Sequence, residues 1–470
     1  MAGDHAGGRR DRGRNRSHDA DAVPAAHVGW RTYLRSLGPG LVTGASDDDP
    51  SGIATYSQAG AQFGYSLAWS ALLTLPLTVA IQEICDRAAL ATGRSLGEVC
   101  RQRFGRGGRS VLTVLLVALM VANTANIAAD LLAIGAGMNL LHAGPIWVWA
   151  LIAGAAITVG LVLGSFELIS RVFRYLCLSL LAYLVVLFVA HVDWGAVAVH
   201  TVVPQIRWST EYLGVLIAVL GTTLSPYLYF WQTAHRVEEE VEKEVEEEVE
   251  EAADDGTADV ASTPRAATPL KYRRRAVAEH KKRTSRFDVF VGMSLSNVVM
   301  FAIIVATAAT LGQNGSTEIN SAADAAASLE PIAGQTSKVL FALGFIGTGI
   351  LAVPVLAAAA SVGLAGLHDK EWGFSRSPRE APVFYALVVA GTLGGTALSL
   401  LGVNPIRMLI IVAIVNGIAT TPFLVTVMLV SADRRLMGDF RNGKLATTFG
   451  WLTVAVMTAG TAAVFITGGV

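Results

Sequence analysis

Charge is scarce in this 470-residue chain: 16% of its residues are Asp, Glu, Lys or Arg, against 53% hydrophobic ones. A soluble domain carries about 25% charged residues, so a soluble globular fold is excluded and a polytopic membrane protein remains. Cysteine is nearly absent. Cys85, Cys100 and Cys177 are an odd number, scattered through apolar or membrane-edge sequence, which excludes a disulfide framework and zinc-type spacing. Catalytic signatures are missing as well. No metalloprotease helix, P-loop or nucleophile elbow occurs, so an enzyme is not expected. Residues 1–28 are rich in Arg, Gly, Asp and His and have no apolar core, unlike a signal peptide; a disordered cytosolic tail over 1–34 is expected. The net charge of −1 is uninformative by itself, and the information lies in where the charges sit.

What the chain has in quantity is apolar runs. Eleven spans are read at 39–62, 66–91, 110–141, 145–164, 166–190, 211–234, 287–312, 335–367, 381–402, 405–430 and 447–468. Each approaches the ~20 residues that a crossing helix needs. With the N-terminus inside and the C-terminus outside, only Arg207, Lys338 and Arg407 fall in external loops. Arg101, Arg103, Arg106 and Arg109, then Arg434, Arg435, Arg441 and Lys444, crowd two short inner loops. That asymmetry is the positive-inside pattern, and it places the chain in the cell membrane. Trp147, Trp149, Trp194 and Trp208 are expected at the outer interface, Trp30 and Trp372 at the inner one.

Two spans are interrupted. The first reads Gly40-Leu-Val-Thr-Gly-Ala-Ser-Asp-Asp-Asp-Pro-Ser-Gly, with Asp47, Asp48 and Asp49 ahead of Pro50 and Gly52. The second reads Leu220-Gly-Thr-Thr-Leu-Ser-Pro-Tyr, with Pro226 at its centre. Unwound backbone at membrane depth survives only where it is buried in protein or lines a cavity. A matched pair of broken helices in two halves of one chain points to a transporter's substrate site. Spans 1–5 (35–190) and 6–10 (211–430) then read as two five-helix repeats of inverted topology, joined by an external connector at 191–210. A loop and an appended eleventh helix follow at 431–470. Residues 235–286 form a cytosolic insertion. It opens with an acidic helix carrying Val237, Val241, Val245 and Val249 in one thin stripe, and it ends in a basic stretch from Lys271 to Arg286. A solvated continuation of span 6 with a positive-inside anchor is the expected role of that insertion.

Asp49 is the principal candidate. A charge near the bilayer midplane is costly and marks an ion or substrate pathway. The carbonyl ends of the half-helices closing at Asp47–Asp49 and Thr222–Thr223 point at the same place. Carboxylate and carbonyl oxygens suit hard cations such as Mg²⁺, Ca²⁺ or Mn²⁺. Asp47 and Asp48, turned by ~100° per residue, are secondary. In span 3, Asn123, Asn126 and Asp130 share one face; Asp130 is either a pathway acid or a structural hydrogen-bonding post. Glu83 and Arg87 are read as a structural i, i+4 pair, and Asn416 as a further oxygen donor.

The run Asp49-Pro-Ser-Gly-Ile-Ala-Thr-Tyr-Ser-Gln-Ala-Gly-Ala-Gln-Phe-Gly-Tyr65 resembles the Nramp divalent-metal transporters. Their signature there is Asp-Pro-Gly-Asn-Ile-Ala-Thr-Asp, followed by Gln-Ala-Gly-Ala-Gln-Phe-Gly-Tyr. The resemblance extends over about residues 35–470. It implies an all-α, leucine-transporter-like fold of about eleven helices, with a 5+5 inverted repeat broken in helices 1 and 6. The family's metal-binding Asp carries over to Asp49, while its Asn ligand is Gly52 here. Its second signature, Ala-x-x-Met-Pro-His, is met by Thr222-Thr-Leu-Ser-Pro-Tyr227. The carbonyl ligand therefore maps to Thr222, the methionine to Ser225 and the histidine to Tyr227, beside Pro226. The family's Asp-Leu-Ala-Glu in span 3 aligns with Asp130 and Ala133, and span 9 holds no arginine.

This pattern is similar to the Nramp-related magnesium transporters. A thioether favours transition metals, so its loss, together with Asn replaced by Gly, suits an oxygen-lined, roomier site for Mg²⁺ with its retained waters. The expected metal site is Asp49, Gly52, Thr222, Ser225 and Asn416. Asp48, Pro50, Pro226, Tyr227, Asn126 and Asp130 are the pathway or gating candidates. Mg²⁺ or Mn²⁺ is expected as cargo, with no cofactor and no proton coupling; the ion and the lipid bilayer are the expected partners, and nucleic acid is not. A proton-coupled Mn²⁺/Fe²⁺ symporter is the alternative. A sodium-coupled organic-solute carrier is less favoured, because three aspartates would repel a substrate carboxylate.

Overall fold

The computed structural model describes residues 38–164, 192–255, 266–312, 319–327 and 337–467. The expected N-terminal tail and fifth span (166–190) lie outside the described residues, as do Trp30 and Cys177. Every regular element within them is helical. Eight of these helices are each long and apolar enough to cross a bilayer, if the segment from Thr210 to Val249 is taken as one.

The first span divides into α1 (Pro39–Asp47) and α2 (Pro50–Phe63). Pro50 occupies the first turn of α2, where its missing N–H costs nothing, and it forces Asp49 into an extended conformation (φ −67°, ψ 170°). The chain then turns into α3 (Trp69–Thr92), with a bend of 107° between the two apolar segments. A short α4 (Leu96–Arg103), capped by Ser95 and Glu98, leads into α5 (Arg106–Leu140) and α6 (Ile146–Leu163). The connector at 191–210 contains an unforeseen helix, α7 (Trp194–Val202), whose N-terminus Asp193 caps through Ala196 N at 3.0 Å.

The sixth span divides likewise into α8 (Thr210–Thr223) and α9 (Pro226–Asp255). Then follow α10 (Arg275–Thr307), the short α11 (Ala322–Ala327), α12 (Ser337–Leu367), α13 (Pro382–Ser399), α14 (Pro405–Ser431), the single turn α15 (Arg434–Met437) and α16 (Lys444–Thr467). Two groups result. The broken helices, α3 and α10 pack together, while α5, α6, α12 and α13 form a scaffold against which α2 and α14 also lie. Small residues set the closest crossings. A Cβ on Gly40 would sit 2.6 Å from the Asp288 carbonyl carbon, so α1 rides directly on the backbone of α10.

Within the insertion, α9 continues span 6 without a break, as expected, but its first turns are not solvated. Val237, Glu238, Glu240 and Val241 are buried, Val245 is half-buried, and Glu246 to Val249 are exposed. The basic stretch explains this: Arg273 pairs with Glu244, and Lys281 with Glu240. Glu238 accepts the Ser375 amide at 3.1 Å, and that loop also buries Trp372, which therefore is no interface residue. Trp147, Trp194 and Trp208 are exposed. Glu83 and Arg87 pair at 2.9 Å, and Arg87 also holds the Phe440 carbonyl and Asn442, so that pair is structural.

At the arginine-rich end the bundle is shut by buried charges. Arg236 of α9 donates to Asp86 of α3 at 2.6 Å and to Asp288 of α10 at 2.8 Å, with Ser285 and Gln232 completing the shell of Asp86. Asp288 in turn accepts the amides of Gly38 (2.9 Å), Gly40 (2.8 Å) and Leu41 (3.2 Å), and so caps α1 from another helix. Breaking a buried pair leaves an uncompensated charge and costs about 3–5 kcal/mol. Arg236→Met is therefore expected to lower the thermal unfolding midpoint in detergent clearly, and adding Asp86→Asn with Asp288→Asn should recover part of the loss.

Candidate functional site

The two breaks face each other. Asp49 caps α2: its Oδ1 accepts Gly52 N at 2.8 Å and Ser51 Oγ at 2.5 Å, and its Oδ2 accepts the Tyr227 hydroxyl at 3.3 Å. Tyr227 is the first residue after Pro226 in α9, so a side chain of the second break supports the carboxylate of the first. Ser51 Oγ also lies 3.4 Å from Thr222 Oγ1. Asp49, Ser51, Gly52, Thr222 and Tyr227 thus come together, all fully buried.

The second break satisfies its carbonyls with hydroxyls. Ser225 Oγ turns back to the carbonyls of Gly221 (2.8 Å) and Thr222 (2.9 Å). The Leu224 carbonyl accepts from Tyr229 Oη (2.8 Å) and Thr420 Oγ1 (2.9 Å). Ser225 is therefore engaged with the same Thr222 carbonyl that the sequence singles out. Asn416 stands one helix away on α14, which touches the break where Gly417 abuts Gly221. Neither atom of its buried amide has a hydrogen-bond partner.

The face of α5 divides in role. Asn123 is a post between helices, donating to the Leu356 carbonyl of α12 at 2.8 Å. Asn126 and Asp130, one and two turns on, are fully buried with every side-chain polar atom unpartnered. Asn123 thus ties α5 to α12 through its amide nitrogen although its Oδ1 is unpartnered, whereas Asn126 and Asp130 make no side-chain hydrogen bond at all.

Three features escaped the sequence. Ser51, given no role in the sequence reading, bridges Asp49 and Thr222; its only signal was its place two residues after a capping Asp. The volume beside Gly52 is not open: an added Cβ would lie 3.2 Å from both Thr222 Oγ1 and the Tyr56 ring, and Tyr56 Oη meets Thr223 Oγ1 at 3.1 Å. The expected roominess is thus taken up by Tyr56, which stands where the family signature has Asp. One sulfur does approach the second break, Met300 Sδ, 3.5 Å from Thr223 Oγ1.

A cavity of ≈ 720 Å³ opens at the end opposite Arg236, lined among others by Gln58 and Gln62 of α2, Glu211 of α8, and Asn320, Asn404 and Arg407. Gln58 binds the Ile319 amide at 3.0 Å, and Asn404 the Asn320 carbonyl at 2.9 Å, so the 319–320 segment is tied across the rim. Gln58 lies nine residues along the chain from Asp49, about 13 Å at 1.5 Å per residue. Among the described residues no three His, Cys, Asp or Glu side chains converge on one point. Any cation at the breaks would thus be held by at most two carboxylates, the rest of its shell being carbonyl, hydroxyl and amide oxygens or water.

Comparison with known proteins gives a consistent match. A family model described as Natural resistance-associated macrophage protein-like (Nramp) covers residues 40–467. The divalent metal cation transporter MntH of Ralstonia nicotianae is 28% identical over 450 residues, which is 93% of this chain and 91% of that one. MntH of Deinococcus radiodurans is 25% identical over 439 residues (92% and 89%). Among solved structures, a mutant of the Eremococcus coleocola manganese transporter superposes with a TM-score of 0.69 at 17% identity, covering 94% of this chain and 88% of that one. Mhp1, a nucleobase-cation-symport-1 family transporter, gives 0.51 at 14% identity (92% and 93%). At those identities the structures establish a common fold, the leucine-transporter-like one that the broken helices imply.

The packing around Gly52 carries its own test. Gly52→Asn alone is expected to overpack against Tyr56 at a cost of about 1–3 kcal/mol. Gly52→Asn with Tyr56→Ala should regain most of that in thermal unfolding.

Proposed function

Because the chain belongs to the Nramp family, we propose that it is a carrier of divalent cations, Mg²⁺ and Mn²⁺, across the cell membrane. Its arginine-rich end lies in the cytosol and its ≈ 720 Å³ cavity opens outside. The relatives named as divalent metal cation transporters support the cation class. The observation that carries the reading is Asp49, a buried carboxylate at a helix break with Thr222 and Tyr227 of the other break around it. Asp49 is the principal ligand, and the Thr222 carbonyl and the Asn416 amide oxygen are the second and third. Ser225 acts through the Thr222 carbonyl, whose orientation its hydroxyl fixes. Oxygen-only donors favour a hard ion that keeps part of its water. No sulfur sits at the position of the family's methionine, which is Ser225 here.

Transport is driven by the cation's own gradient. An inward-negative potential of 100 mV contributes about 4.6 kcal/mol to a divalent ion, twice the ~2.3 per charge. Tyr227 and Ala133 stand where the resembling family has a titratable His and Glu. One observation favours the second reading, a proton-coupled Mn²⁺/Fe²⁺ symporter: Asp130 is a buried acid without a partner.

Proteoliposomes separate these readings. Asp49→Ala is expected to abolish Mg²⁺ and Mn²⁺ uptake while the protein still elutes as the wild type does; undiminished uptake would overturn the site. With a pH-sensitive dye inside, the wild type should take up metal without acidifying the lumen. Acidification that tracks metal entry and vanishes in Asp130→Asn would establish the symporter instead.

A further inference from the structure

Asp49 is one of three consecutive buried carboxylates, and the other two have no role in the site above. Their surroundings differ sharply from its own. Asp49 takes hydrogen bonds from Ser51, Gly52 and Tyr227. Asp47 takes one, from Ser296 Oγ of α10 at 2.7 Å, through Oδ2; its Oδ1 has none. Asp48, 0% exposed, has both oxygens unpartnered. Asp48 lies within electrostatic range of Asp47 and Asp49 and beside the same Ser296. That hydroxyl has one proton to give, and Asp47 takes it.

No Lys, Arg or His among the described residues forms an ion pair with either group. Arg236, at the opposite end of α1, is spent on Asp86, Glu239 and Asp288. The C-terminal end of α1 adds its own partial negative charge at the same point. Buried carboxylates are otherwise paired, bound to a metal or kept protonated, because uncompensated desolvation of the charge is prohibitive. A protein that dresses Asp49 and caps α1 at its other end through Asp288 leaves three of this pair's four oxygens without a hydrogen bond.

We propose that Asp47, Asp48 and Ser296 form a second cation site, distinct from that of Asp49, for a hard divalent ion of the cargo class. The donors are all oxygen, two carboxylates and a hydroxyl, which is the set that suits Mg²⁺ and Mn²⁺. The site lies on the arginine-rich side of Asp49, since α1 runs from that end to the break and Ser296 approaches from α10. An ion leaving Asp49 toward that end meets it next. Two adjacent sites also solve a kinetic problem. A single deep site strong enough to capture the ion would release it slowly, whereas an ion arriving behind another is repelled forward.

This inference rests on the reading of the chain as a divalent-cation carrier. Its test is the number of ions bound. Wild-type protein purified in detergent, stripped and equilibrated with Mn²⁺, is expected to hold two Mn²⁺ per chain by metal analysis after dialysis. Asp48→Asn and, separately, Ser296→Ala are expected to hold one under the same conditions. The asparagine is isosteric and the alanine removes only a hydroxyl, and the wild-type count needs no variant. One Mn²⁺ per wild-type chain with intact transport would overturn the second site alone. Two ions in both variants, or a second position that only Na⁺ fills, would overturn it as well. Neither binding nor transport of divalent ions by the folded wild type would overturn the carrier reading itself.

Discussion

Everything at the centre of this molecule depends on a polar backbone that has nowhere to go but inward. Two helices stop halfway along the bundle, and each stop frees amides and carbonyls that hydrocarbon cannot satisfy. At the first stop Asp49 answers the amide of Gly52 with its own carboxylate. At the second, hydroxyls of Ser225, Tyr229 and Thr420 answer the carbonyls of Gly221, Thr222 and Leu224. Tyr227 then joins the two by reaching from one stop to the carboxylate of the other. The polar cluster is thus first a solution to a backbone problem, and its capacity to meet an ion follows from that solution.

Much of this was legible in the sequence because it is local. Proline after an acidic run, glycine two residues on and a flanking apolar stretch are enough to place a broken helix, and both breaks fall where Pro50 and Pro226 put them. Asp49 could be singled out because its role is set by neighbours within three residues. The parts that were not legible are contacts between distant residues. Arg236 finds Asp86 across 150 positions and Asp288 across 52. From composition alone the acidic start of α9 looks like a solvated face, and only its meeting with Arg273 and Lys281 buries it. In the same way, nothing in the Gly52 position reveals that a tyrosine four residues later fills the space a side chain would have taken.

The two ends of the bundle are built from different materials. One is closed by ionic contacts among side chains whose burial makes each of them costly to leave unpaired. The other is bridged by amide groups, Gln58 and Asn404 holding the 319–320 segment. Neutral amide bonds contribute about 0.5–1.5 kcal/mol each, so the amide-bridged rim is the weaker of the two closures. The scaffold of α5, α12 and α13 touches both ends and gives them a common frame.

The cavity has a consequence for hydration. At about 30 Å³ per molecule, its ≈ 720 Å³ has room for roughly two dozen waters, far more than the six oxygens of a fully hydrated Mg²⁺. For the carrier proposed above, this cavity therefore has the volume to hold an ion with its water shell complete. Shedding of water is confined to the final stretch between Gln58 and the breaks, where the walls are hydroxyls, amides and one carboxylate. On the carrier reading proposed above, discrimination among ions then falls to the polar groups of that stretch, where the last waters have to be given up.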